Sequence, residues 1–255
     1  MSRMIRVQSI LTGITAACLF VTSAQAQEES ALAFPSTFGA PSAIAGAGGS
    51  GFIGLTLVYP RRDVPSNAST KDKLDGDIVV GYTVGNPIDN ISLTFSAAIT
   101  SLTNTFGDSG ALAIDLSRAL YVTDDTLTFI GATASNLAAW GDARIDPEAY
   151  SIYVSHLFSL SGPRAEIPMQ ITVGYGDQST YDDWGINVEE GWFYGIGVGL
   201  TPNLSASLSG TRNQLNIGAN ASLPFLPDWG ISAGVYDVTD NVDRRQFAIS
   251  ISRAF

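Results

Sequence analysis

One cysteine and one histidine are all the thiol and imidazole this 255-residue chain holds. Cys18 lies in an apolar stretch near the N-terminus, so a mature chain cleaved after it has no disulfide and no thiolate chemistry. His156 stands alone, which excludes a zinc site built on several histidines. Charge is also scarce: Asp, Glu, Lys and Arg make up 15% of the residues, against about 25% in a typical soluble domain. What charge there is runs acidic, with 13 basic residues against 24 acidic. Such a chain lacks the clustered Lys and Arg that phosphate binding needs, so nucleic acid is not an expected partner. Beyond the N-terminal stretch, no apolar run is long enough for a spanning helix.

The N-terminus reads as an export signal. Arg3 and Arg6 precede an apolar run from Ile10 to about Val21, and Ser23-Ala24-Gln25-Ala26 supplies small residues at the two recognition positions of a signal peptidase. Residues 1–26 are therefore expected to be removed by cleavage after Ala26. A mature chain from Gln27 keeps 11 basic residues against 24 acidic, a net charge of −13. Lipidation at Cys18 is disfavoured, because Thr15-Ala16-Ala17 does not make a lipoprotein cleavage motif and the apolar run continues past it.

Nearly everything from residue 50 on alternates with period two. Ile91, Leu93, Phe95, Ala97 and Ile99 interleave with Ser92, Thr94, Ser96, Ala98 and Thr100. Ile167, Met169, Ile171, Val173 and Tyr175 interleave with Gln170, Thr172 and Gly174. A period of two over about ten residues predicts a strand with one apolar and one polar face. Twelve such strands are expected, near 50–59, 75–85, 90–101, 110–120, 126–137, 148–158, 166–176, 191–200, 203–212, 214–223, 229–237 and 245–255. In the fifth, Gly131-Ala132-Thr133-Ala134 does not reveal which face is apolar.

The connections sort by parity, with the link near Thr211–Gln214 as the one exception. Short turns such as Gly85-Asn86-Pro87, Thr123-Asp124-Asp125 and Thr201-Pro202-Asn203 alternate with longer, more charged stretches at 60–74, 102–109, 138–147, 177–190 and 238–244. A β-sandwich, the main structural alternative, has no reason to sort its loops this way. A transmembrane antiparallel up-and-down β-barrel does, with short periplasmic turns and longer extracellular loops. The final strand carries Phe247, Ile249, Ile251 and the terminal Phe255 on one face. This resembles the C-terminal assembly signal of Gram-negative outer-membrane β-barrel proteins of the porin-like superfamily, with Arg253 as a basic departure from the usual apolar pattern. The resemblance implies an all-β barrel of about twelve strands at residues 50–255, located in the cell outer membrane. It also implies contact with outer-membrane lipid and with the barrel-assembly machinery during biogenesis. Aromatics near strand ends agree with two interfacial belts, Tyr59, Tyr150, Tyr175, Trp192, Tyr236 and Phe247 at one end and Tyr121, Phe158, Phe225, Trp229 and Phe255 at the other.

The inward face is expected to line a pore with small, mostly neutral side chains: Thr83, Thr94, Ser96, Asp115, Ser117, Gln170, Thr172, Ser207, Asn216, Asn220 and Ser250. Asp77 and Asp115 would give such a pore weak cation preference. Residues 27–49, rich in Gly, Pro and small residues, are read as a periplasmic N-terminal segment, either a tail or a plug folded into the barrel, with the tail expected. No catalytic, cofactor-binding or metal residues are assigned. His156 beside Ser155 is read as an interfacial residue rather than the base of a lipid-modifying enzyme. The acidic stretch 182–190 and Asp237, Asp240 and Asp243 are read as solvated loops rather than a calcium site. The leading expectation is a passive channel for small hydrophilic solutes. The alternatives are a non-conducting structural or surface-binding barrel and, third, a lipid-modifying enzyme. Oligomeric state is left open.

Overall fold

The structure, a computed structural model, describes residues 35–60, 73–100, 102, 106–123, 125–162, 166–181, 188–226, 228–241 and 245–255. The expected signal peptide and residues 27–34 lie outside them, as do 182–187 of the acidic stretch and Asp243.

Twelve strands form in chain order: β1 (Gly51–Tyr59), β2 (Asp75–Gly85), β3 (Ser92–Ile99), β4 (Gly110–Val122), β5 (Thr126–Trp140), β6 (Ala149–Ser161), β7 (Glu166–Tyr181), β8 (Val188–Thr201), β9 (Leu204–Gly210), β10 (Leu215–Ser222), β11 (Trp229–Tyr236) and β12 (Gln246–Ala254). Each pairs antiparallel with its neighbours in sequence, and β1 pairs with β12, so the sheet closes into an up-and-down barrel. Closure gives every strand a neighbour on both sides. At the seam the backbone ladder runs on past β12, with Gly51 and Phe255 exchanging N–H···O bonds of 2.7 and 2.9 Å.

The short connections lie at the end where β1 begins and β12 finishes, here the turn end; the longer ones cluster at the opposite, loop end, where only the 211–214 link between β9 and β10 is short. The strands differ most from the sequence expectation at the loop end, where β5, β7 and β8 run further than the alternation indicated. The pairing of β7 with β8 resumes beyond a register shift between Gly176 and Thr180. At the loop end, a short 3-10 helix, Gly141–Ile145, folds back over the β4 rim. Ala143 N–H donates to Ser109 Oγ at 2.9 Å, and Asn136 Nδ2 donates to the carbonyls of Ala143, Asp146 and Pro147. Asn136 holds a left-handed backbone, φ 56°, which Asn tolerates better than most residues.

The pleat sorts side chains to two faces. The outer face is an apolar belt, with Ile53, Val80, Phe95, Ile114, Val173 and Ile249 among its exposed members. In β5 the inward residues are Phe129, Gly131 and Thr133, because Thr133 pairs across from inward Asp115 and Gly131 from inward Ser117. This resolves the face that the Gly-Ala-Thr-Ala run left undefined. Tyr236, expected in an interfacial belt, instead turns inward and is buried, stacked on Phe38 with ring centroids 4.7 Å apart.

Phe38 belongs to the segment before β1. Residues 35–46 do not hang from the barrel as the tail expectation had it; they occupy its interior. The reason is space and bonding together. Glycines at 195, 197, 218, 234 and 131 strip the inner wall of side chains, and the segment fills the volume they leave. A Cβ at Gly195 would come within 2.8 Å of Thr37, one at Gly197 within 2.7 Å of the Ser36 carbonyl, and one at Gly131 within 3.1 Å of Ala43. The segment returns to the wall at the turn end, where Gly49, at φ 89°, donates to the Thr83 carbonyl at 2.8 Å.

Candidate functional site: the occupied lumen

The interior is not one core but three. On the β1–β4 side Phe52, Val79, Ala98, Ala111 and Ala113 pack together, without the segment. On the β5–β8 side Phe129, Tyr153, Leu157 and Phe193 pack against Ala40 and Ala43 of the segment. On the β11–β12 side Tyr236 and Ala248 pack against Phe38. Two of the three clusters are thus completed by residues 38–43. Inward aromatics crossing a lumen of serines and glycines were not assigned to this role from sequence, because strand alternation reports a face but not how far a side chain reaches across it.

Each residue expected to line a pore has a definite place on the inner face. Thr83 bonds Thr94 side chain to side chain at 2.8 Å, and Ser250 bonds Thr56 at 2.8 Å. Asp115 accepts from Thr133 Oγ1 at 2.5 Å, and Thr133 also bonds the Tyr153 hydroxyl. Thr172 bonds Ser155 at 2.7 Å and receives the Gln170 amide at 3.2 Å. Asn216 donates to Ser209 Oγ and accepts the N–H of Asp237 at 3.0 Å. Ser96 is buried on the inward face of β3. Asn220 pairs in register with Ser205 and Ser232, and its amide atoms make no hydrogen bond among the described residues.

The remaining lining residues, with neighbours not singled out in the sequence, hold the segment itself. Phe38 N–H donates to Ser207 Oγ at 3.0 Å, and Ser209 Oγ donates to the Phe38 carbonyl. Ala43 N–H donates to Ser155 Oγ at 2.9 Å, and Ser117 Oγ donates to the Ala43 carbonyl. Gln170 Nε2 donates to Ser42 Oγ at 2.9 Å. Four of the lining hydroxyls, on Ser117, Ser155, Ser207 and Ser209, therefore bond the main chain of the segment. Thr83, Thr172, Ser155 and Ser209 have no solvent exposure at all, whereas an open lumen would leave such groups wet.

His156 faces outward, bonded through Nδ1 to Thr128 Oγ1 at 2.8 Å and stacked on Phe158. Ser155, its sequence neighbour, points the opposite way into the lumen, so the two do not form a nucleophile–base pair. Among the described residues no three His, Cys, Asp or Glu side chains converge to hold a metal. Arg253, the departure in the last strand, lies outward over the Trp229 ring at 5.8 Å. Phe247, Ile249, Ile251 and Phe255 share that outward face, and the Phe255 ring covers Gly51 across the seam.

A closed twelve-stranded wall with an apolar outside and a polar inside is the architecture of the outer-membrane barrels. A solved KdgM porin, in complex with disordered oligogalacturonate, has this fold: TM-score 0.50 and 6% identity, over 81% of this chain and 99% of that one. An outer membrane channel from Pseudomonas putida F1 is similar over 83% of this chain and 97% of its own, with TM-score 0.47 and 10% identity. The NanC porin is similar over 80% and 98%, with TM-score 0.45 and 9% identity. No protein-family model and no curated protein sequence matches the chain.

Proposed function

We propose that this protein is an outer-membrane channel for small hydrophilic solutes that rests closed, with residues 35–49 as its gate. The observation that carries the reading is the segment itself, seated in a lumen whose wall sets hydroxyls, amides and glycines beside a few inward aromatics. A barrel interior that served only as a structural core would be filled from the wall by branched apolar side chains, as in small closed barrels. Here the wall stops short, and a separate stretch of chain completes it. Remove that stretch, and what remains on the β9–β10 wall is polar and small: Ser205, Ser207, Ser209, Asn216, Gly218 and Asn220.

The apolar belt supports placement in a membrane, since a contiguous apolar surface circling a barrel is not found on soluble monomers. An exported chain with short turns at one end and long acidic loops at the other fits the outer membrane, loops outward. Export by the 1–26 signal, cleavage after Ala26, and assembly through Phe247, Ile249, Ile251 and Phe255 belong to this proposal. So does the non-enzymatic reading, which the outward, Thr128-bonded His156 supports. Partners on this reading are outer-membrane lipid, the assembly machinery and small solutes, with no cofactor.

Planar-bilayer conductance tests the proposal. The mature chain should give small or infrequent openings, and a chain beginning at Ala47 should give a larger and steadier conductance. If both forms are sealed while folded, the channel reading fails and a non-conducting structural barrel takes its place.

A further inference from the structure

The way the gate is held points to what else the lumen can hold. Two residues of the segment, Phe38 and Ala43, each have both backbone polar groups bonded by wall serines. Ser207 and Ser209, two apart on the inward face of β9, take the N–H and the carbonyl of Phe38. Ser155 on β6 and Ser117 on β4 take the N–H and the carbonyl of Ala43. The wall therefore reads main chain, at two points five residues apart. Side-chain hydrogen bonds of the segment are few: Ser42 meets Gln170, and Thr37 bonds back to Ala40 within the segment.

Shape adds a sequence rule. The Phe38 ring lies over Gly218 and Gly234 and stacks on Tyr236. Gly39, at φ 79°, sits against Asn216 and Ser209. Ala40 and Ala43 lie against the glycine wall at Gly195 and Gly131, where a larger residue would meet backbone. Charge completes it: residues 35–49 contain no charged residue, and the groups bonded to them are neutral hydroxyls and amides.

We infer that the lumen is a binding site for uncharged peptides that turn at an aromatic-Gly pair, with small residues two and five positions after the aromatic, and that residues 35–49 occupy it in cis. The inference rests on the gate reading of this segment. A hydroxyl can bond a sugar as readily as a peptide. The paired donor and acceptor about single residues, and the ring pocket beside the first pair, are what favour peptide. A peptide entering from either end competes with the tethered segment, and a bound peptide holds the gate out while itself filling the lumen.

The test uses a fluorescein-labelled 15-residue peptide with the sequence of residues 35–49. It is added to the detergent-folded mature chain and to the chain beginning at Ala47, with folding of each judged by heat-dependent gel migration. Anisotropy should show saturable binding to the shortened chain, at least tenfold tighter than to the mature chain. Binding should drop at least tenfold when Ser155→Ala and Ser207→Ala are combined in the shortened chain, or when the peptide carries Phe38→Ala. No saturable binding to a folded shortened chain overturns the inference, as does equal binding of a scrambled peptide. A neutral oligosaccharide that displaces the label as well as unlabelled peptide does overturns it too, in favour of a general hydroxyl site. Should the shortened chain not fold, the mature Ser36→Cys variant carries the test. Its thiol is buried, so excess peptide should speed its reaction with a water-soluble thiol reagent at least tenfold; no acceleration overturns the inference. Because binding is read without current, a shortened chain that binds peptide but does not conduct would sink the channel reading and leave this one standing.

Discussion

Gly218 shows how much one absent methyl group decides. Its Cβ would fall inside the contact shell of the Phe38 side chain, and packed interiors give way poorly to added volume. Gly218→Val should therefore unseat Phe38. The expected outcome is a loss of about 1–3 kcal/mol in urea-unfolding stability, with conductance raised toward that of the chain lacking the segment. At the loop rim, Asn136 makes a different kind of contribution, its one amide serving three carbonyls. Asn136→Ala strands these acceptors and puts alanine at a left-handed backbone position, so about 1–3 kcal/mol should be lost in the same measurement. Nearby, burial raises the carboxyl of Asp146 above its ordinary value. The folded state then binds a proton more tightly than the unfolded one. Stability falls as pH rises from the unfolded carboxylate value through the folded one, and stays level above it. Asp146→Asn should thus equal or exceed the native chain in urea midpoint at pH 7, and that advantage should vanish near pH 4 and below.

Among the elements, β12 carries the heaviest expectation. Phe255 closes the ladder with Gly51 and lays its ring across the seam, so deleting it should cut the yield of heat-modifiable barrel sharply while leaving export unchanged. Arg253→Tyr should be neutral or mildly favourable, since the position already lies against Trp229 on the outer face. Twelve strands were legible in the sequence because alternation is a local property: Ile91 to Thr100 states its two faces without reference to any other strand. The inward hydroxyls were legible for the same reason. The segment before β1 was not. Several of its contacts are at sequence distances of more than a hundred residues, Phe38 to Ser207 and Ala43 to Ser155 among them, and a stretch of Gly, Pro and Ala has no period to betray them. The signal that could have found it was a mismatch: Phe38 in a run otherwise of small residues, and a file of inward glycines at 195, 197, 218 and 234 with nothing expected to stand over them. Tyr236 was misplaced for a related reason, since nearness to a strand end says nothing about which face the ring takes.

At the scale of the whole molecule, the wall and its contents are joined end to end. The barrel is closed by β1 against β12, and the stretch inside it runs directly into β1. Heat-dependent gel migration should report a wall that resists detergent, because the closed ladder offers no edge from which to unzip. That resistance should survive loss of residues 35–46, whose contacts lie within the wall and not in the ladder, with a lower melting midpoint as two of the three interior clusters lose members.

The position of Phe38 also bears on the order in which the molecule comes together. Its ring lies against β10 and β11, at Gly218 and Gly234, and beside Ala248 of β12, while its chain continues into β1. We expect this contact to form before β1 and β12 pair, so that it carries the first strand to the last. Joining the extremes of a long chain is the slowest contact it has to form, since loop closure must precede any reward. A stretch that binds the late strands early would act as a guide rope for the seam. Time-resolved folding into micelles should then show Phe38→Ala slowing the final closing phase while earlier strand formation keeps its rate.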